Sequence, residues 1–216
     1  MFYSTDRPVL CFLLMLLSFL GWGQEKKDNS SFYREDQFYF GLHYLLLNSS
    51  DEAFEQQGLS SRFQIGILRD IPISRNGRWA IAAGIGYEKT SLRTNSQWET
   101  ELGMLSLDYS QDRYTRFGYH SLSLPFELRW RSSSPSKYAF WRLYAGVKAT
   151  RNWETAATPK GILQDWIPTA YFSFGYNTWN LYTSYSLQSI YSNSLDLDAP
   201  LSNLKGVALG LVFYVF

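Results

Sequence analysis

Trp79-Ala80-Ile81-Ala82-Ala83-Gly84-Ile85-Gly86-Tyr87-Glu88 is the stretch on which the fold turns. Trp79, Ile81, Ile85 and Tyr87 share one parity with Ala83, while Ala80, Ala82, Gly84, Gly86 and Glu88 share the other. A period of two marks a β-strand, because successive side chains point to opposite faces, and it is incompatible with the 3.6-residue period of a helix. The large residues form one face and the small or charged ones the other. That is the code of a strand with lipid outside and a crowded polar lumen inside.

The same alternation recurs on both sides of this stretch. Upstream, residues 37–47 set Phe38, Phe40, Leu42, Tyr44 and Leu46 against Tyr39, Gly41, His43 and Leu45. Residues 61–70 set Phe63, Ile65 and Ile67 against Arg62, Gln64, Gly66, Leu68 and Asp70, and Asn76-Gly77 beyond them is a strong hairpin signal. Downstream, strands are expected at 119–130, 138–149, 169–176, 179–190 and 205–216. Pro125 lies inside the first of these, and a local bulge is expected there because proline cannot donate to a ladder. The count is eight.

The connections are short at 69–78, 131–137 and 177–180, and long at 48–60, 91–117, 151–165 and 192–203. Strict alternation of short and long connections is how outer-membrane barrels separate periplasmic turns from outer loops. Glu101 to Tyr109 alternates inside the longest connection and is expected to extend a neighbouring strand past the membrane rather than to add a ninth.

The whole chain agrees. Its 216 residues carry a net charge of +1, so no basic excess points to nucleic acid. Aromatic residues make up 18%, yet mean hydropathy is negative, so the rings alternate with polar residues instead of filling long apolar runs. The one long apolar run, Val9 to Leu20, follows Arg7 and precedes Gly21-Trp22-Gly23, which reads as a cleavable signal peptide over residues 1–23. Residues 24–36 then form a short periplasmic segment and residues 37–216 the barrel. Cys11 falls in the cleaved part, leaving the mature chain without a thiol. The expectation is an all-β protein: an eight-stranded antiparallel transmembrane β-barrel in the outer membrane of a Gram-negative bacterium.

Two girdles of aromatic residues are expected at the interfaces. Trp79, Trp130, Trp141, Trp179 and Phe213 would mark the periplasmic side, and Tyr87, Tyr119, Trp166 and Tyr191 the outer side. An eight-stranded lumen is just wide enough for side chains to fill. Glu88, Glu127, Arg129, Arg142 and Lys148 all have inward parity and are expected to pair there, since buried charges need partners.

Ser121-Leu122-Ser123-Leu124-Pro125-Phe126-Glu127-Leu128-Arg129 resembles the apolar-Pro-apolar strand of PorT-like outer-membrane β-barrel proteins of Bacteroidota. The resemblance covers Gln37 to Phe216 and implies a small outer-membrane barrel, with service to a secretion machine as one option. The last strand is similar to the assembly signal of such barrels: Gly210 inward, Phe213 and Val215 toward lipid, and Phe216 as aromatic terminus. Here the usual pattern is offset by one residue, and Ala208 stands where a polar residue is usual.

Little else in the chain carries chemistry. His43 and His120 are the only histidines, and His120 and Ser121, being neighbours on a strand, point to opposite faces and cannot form a nucleophile–base pair. The acidic residues Asp51, Glu52 and Glu55, or Glu99, Glu101, Asp108 and Asp112, lack the spacing and turn glycine of a calcium loop. No catalytic residue, cofactor or metal is expected. The expected partners are outer-membrane lipid, the barrel-assembly machinery during biogenesis, and an envelope protein that the sequence does not name. The leading reading is a structural or interaction barrel, an accessory of an envelope or secretion machine. Two alternatives are a barrel that passes or senses a small solute and a secreted lipocalin-like soluble barrel.

Overall fold

The computed structural model describes residues 36–101, 104–109, 113–132, 140–155, 158, 160–192 and 203–215. Ten strands are present among them: β1 (Asp36–Ser49), β2 (Ser61–Pro72), β3 (Trp79–Thr94), β4 (Ser96–Glu101), β5 (Met104–Tyr109), β6 (Thr115–Arg131), β7 (Trp141–Glu154), β8 (Trp166–Tyr176), β9 (Trp179–Ser186) and β10 (Leu204–Val215). Eight of them close into an antiparallel barrel in the order β1-β10-β9-β8-β7-β6-β3-β2, while β4 and β5 form a separate two-stranded sheet. The proposed signal peptide and the segment that follows it to Glu35, like Phe216, lie outside the described residues.

Closure removes every free edge from the barrel, which is the only way a sheet can satisfy its backbone in lipid. The seam is the β1–β10 pair, in register from Phe38↔Val215 to Ser49↔Leu204. At the short-turn end, Gly77 takes a positive φ of 66° in the β2–β3 turn. Its N–H donates to the Ser74 carbonyl at 3.0 Å.

The bulge expected at Pro125 is absent. β6 keeps one register against β3 on both sides of the proline, from Trp79↔Trp130 to Ala83↔Phe126 and again from Gly86↔Ser123 to Thr94↔Thr115. Against β7 the pairing runs straight through Pro125↔Lys148. The missing donor leaves only a gap in the ladder toward β3, opposite Gly84, and no extra residue is inserted.

The longest connection is shorter than expected, because β3 reaches Thr94 and β6 begins at Thr115. Beyond this last barrel pair the β4–β5 hairpin continues the same two strands, starting with Ser96↔Tyr109. Glu101 and Met104–Tyr109 therefore belong to a hairpin beyond the barrel wall.

Candidate functional site

Polarity in the barrel is inverted relative to a soluble protein. Phe38, Leu42 and Leu181 on the outer face are 64%, 60% and 65% exposed, whereas Arg129, Arg131 and Arg142 inside are fully buried. A lipocalin-like barrel would need the reverse arrangement, so that alternative does not describe this chain. Trp79, Trp141 and Trp179 stand exposed at the short-turn end, with Trp141 stacked on Phe174 at 5.2 Å and Trp179 edge-on to Phe213 at 4.6 Å. At the other end Tyr87 and Trp166 face outward as expected, joined by Trp153. Tyr119 and Tyr191 do not belong to that girdle, because both are buried inside.

The lumen is filled in layers. Nearest the short turns, Arg142 lies over the Phe140 ring at 4.6 Å. Above it, the Arg129 guanidinium donates from Nε to Glu127 at 2.7 Å and from an η-nitrogen to Asp70 at 3.2 Å. Arg131 meets the second Asp70 oxygen at 2.9 Å and donates from Nε to the Gly77 carbonyl at 2.7 Å. The other Glu127 oxygen accepts from Tyr171 at 3.0 Å. Arg129 also sits over the Tyr144 ring at 4.7 Å. Asp70 thus serves two arginines at once, which keeps both cations compensated in a site without water access.

A second ionic cluster lies further toward the long loops. Lys148 Nζ donates to Glu88 at 2.5 Å, and Arg62 approaches the other Glu88 oxygen at 3.4 Å. His43 packs tilted against Tyr182 beside this cluster at 4.5 Å. The five charged residues named from sequence are therefore split. Glu88 and Lys148 form one centre, Glu127 and Arg129 the other, and Arg142 stands at the short-turn end directly across from Arg131 in the β6–β7 register. Arg62, Asp70 and Arg131 complete the centres and were missed, although their parity is that of the inward face.

Above the ions the filling becomes apolar. Leu45, Leu92, Phe117 and Tyr119 from the strand ends pack with Leu107 of the hairpin, with Ile162, Leu163, Ile190 and Tyr191 from two connections, and with Leu204. Trp98 stands edge-on to Tyr191 at 5.0 Å, and the Tyr191 hydroxyl lies 3.2 Å from Ser96 Oγ. Burial pushes the Tyr191 phenol well above its usual ionisation range. Backbone bonds lock the connections down: Gln164 N–H donates to the Ile190 carbonyl at 2.8 Å, and Ser192 N–H to the Ile162 carbonyl at 2.9 Å. The described parts of the hairpin and of these connections thus pack over the mouth around an apolar core of their own.

Between the two ionic clusters, the cavity lined by Tyr39, Glu127, Lys148, Tyr171 and Tyr182 has a volume of about 10 Å³. That is room for about one water and no larger solute. His120 points outward and shares a hydrogen bond of 2.5 Å with Tyr87, whereas Ser121 points inward and donates to Asn152 Oδ1 at 2.7 Å. The two are not a catalytic pair.

At the C-terminal strand, Gly210 faces inward, while Phe213 and Val215 face outward. A Cβ at Gly210 would run into the Leu42 carbonyl oxygen, so the seam needs glycine there. Ala208 is buried under the cap, which explains an apolar residue at an inward position.

A closed barrel with an apolar exterior and an ion-paired interior defines an integral membrane β-barrel. The family model for the outer membrane protein beta-barrel domain matches residues 22–200, and the chain belongs to that family. Comparison with curated proteins finds no match. The protein is accordingly an outer-membrane barrel.

Proposed function

We propose that this barrel is a non-conducting, non-enzymatic scaffold that presents its capped, long-loop end to the cell exterior as a structural or interaction surface. The observation that carries this reading is the cap itself. An apolar core built from the strand ends, the hairpin and the described parts of the connections packs across the mouth. A solute channel has no use for such a plug, while a docking platform needs loops that are ordered before a partner arrives, because pre-ordering lowers the entropic cost of binding.

The outward orientation rests on the rule that short turns face the periplasm and long loops the medium. The finer placement among PorT-like barrels of Bacteroidota, export by residues 1–23 and an accessory role in a secretion or other envelope machine rest on the sequence resemblance and belong to the same proposal.

Two measurements test it. Barrels reconstituted into planar bilayers are expected to stay at background conductance; steady ion-selective steps would instead favour the transport reading. Cysteine placed singly at Asp51 or Ser74 reads orientation in intact cells with an impermeant thiol reagent. Labelling at position 51 alone is expected, and labelling at 74 alone would invert the orientation.

A further inference from the structure

We propose that the outer face of β2, β3 and β6, at the long-loop end, binds a phosphorylated lipid of the surrounding leaflet, with its headgroup on Lys89, Arg93 and Arg116. Cross-strand register sets these residues together. Lys89 pairs with His120, Ser91 with Gly118, and Arg93 with Arg116. All three cations are exposed on the lipid-facing parity of the barrel, and none has an ion pair with a described residue.

Arg93 and Arg116 stand directly opposite each other, an arrangement that costs stability because like charges on facing positions repel. From Ser61 upward, no outward-facing position described on β2, β3 or β6 carries a carboxylate to offset it. The intervening Ser91–Gly118 row has almost no side chain. It leaves a notch between cationic rows that are about 13 Å apart, four residues along a strand, each about 7 Å from the small row between them. A phosphate in that notch reaches cations on both sides.

Directly beside the notch, a groove of about 470 Å³ runs over β1, β2 and β3, lined by Leu42, Tyr44, Leu59, Phe63, Lys89 and Ser91. Its exposed surface is mostly apolar, and Lys89 is among the residues that line it. A groove for an acyl chain that ends at cations without an ion pair to a described residue matches one molecule, a lipid with an anionic head. An acidic segment of a protein would satisfy the cations and leave the groove bare. The inference rests on the membrane placement of the barrel but not on which way it faces, since a lipid probe can be offered in vitro.

The test uses the protein extracted in mild detergent and reconstituted into nanodiscs of phosphatidylcholine doped with phosphatidic acid. Lipid retained after transfer to the gas phase is read by native mass spectrometry. Wild type is expected to retain phosphatidic acid with about tenfold preference over phosphatidylcholine, in line with the attraction of basic residues to anionic headgroups. The triple variant Lys89→Gln/Arg93→Gln/Arg116→Gln is expected to lose that preference, while Arg75→Gln/Arg78→Gln at the opposite end keeps it. Lys89→Gln alone, the mildest change, is expected to reduce the preference severalfold. Equal retention of the neutral lipid, or an unchanged preference in the triple variant, overturns the proposal. So does inorganic phosphate that displaces the lipid at equal concentration, because the groove would then add nothing. The outcome is independent of the cysteine labelling, so failure here leaves the scaffold reading standing.

Discussion

The two ends of the lumen solve the same packing problem with opposite chemistry. Toward the short turns, the interior is ionic: Asp70 and Glu127 hold Arg129 and Arg131 against the strand walls. Toward the long loops, it is apolar, with Leu92, Phe117, Ile162 and Tyr191 interlocked and fully or nearly buried. Strands supply a rigid frame in which charged groups can be positioned to tenths of an ångström, and only there is a buried ion pair compensated. Loops arrive with conformational freedom, and non-directional apolar burial can fold them in without fixed partner geometry. The ionic end therefore specifies the barrel, and the apolar end specifies the arrangement of its loops.

The largest effect is expected from Asp70→Ala. It removes the Asp70 carboxylate from both Arg129 and Arg131, and removing one partner of a buried pair costs about 3–5 kcal/mol. Urea titration followed by the heat-dependent gel shift of the barrel should show the whole transition moving to lower denaturant. A variant with wild-type midpoint would mean that the ionic end does not hold the barrel together.

Next comes Leu92→Ala in the cap, with a cost of about 2–5 kcal/mol for a buried leucine. Here the readout should divide the two ends. Protease cleavage within the long connections is expected to accelerate severalfold while the heat-dependent shift stays in place. Loss of the shift at the same point would show cap and barrel to be one cooperative unit.

Gly210→Ala tests the seam between these regions. The added methyl meets the Leu42 carbonyl oxygen, and overpacking of this kind costs about 1–3 kcal/mol. Slower acquisition of the folded gel form during refolding is expected, with the cap contacts themselves unchanged once closure is complete. Tyr191→Phe removes one hydroxyl contact, that with Ser96. Its expected cost is about 1 kcal/mol, visible in protease protection and not in the urea midpoint. Smallest of all is Arg151→Gln, which breaks an exposed pair with Asp165 at 3.9 Å; less than about 0.5 kcal/mol is expected in either assay.

The wall of the barrel was legible in the sequence because a period of two needs only local information. Within the barrel strands the parity of each residue states its face, and even Arg62, Asp70 and Arg131 could have been assigned to the ionic clusters by that rule. Tyr119 was misread for the same reason in reverse: its position near a strand end was given more weight than its inward parity. Pro125 shows a local rule that yields to context, since a gap opposite Gly84 disturbs the closed ladder less than an inserted residue.

By itself, the sequence determined the class, the number of barrel strands and which of their side chains face lipid, since hydrophobic alternation and turn chemistry act over a few residues. Only the tertiary structure decided that the inward charges divide into two centres and brought Arg142 opposite Arg131. The same holds for the closure of the loops over an apolar core and for Arg93 and Arg116 facing each other across a small-residue row. Those outcomes depend on register between strands distant in the chain and on the curvature of a closed barrel, and no local pattern encodes either.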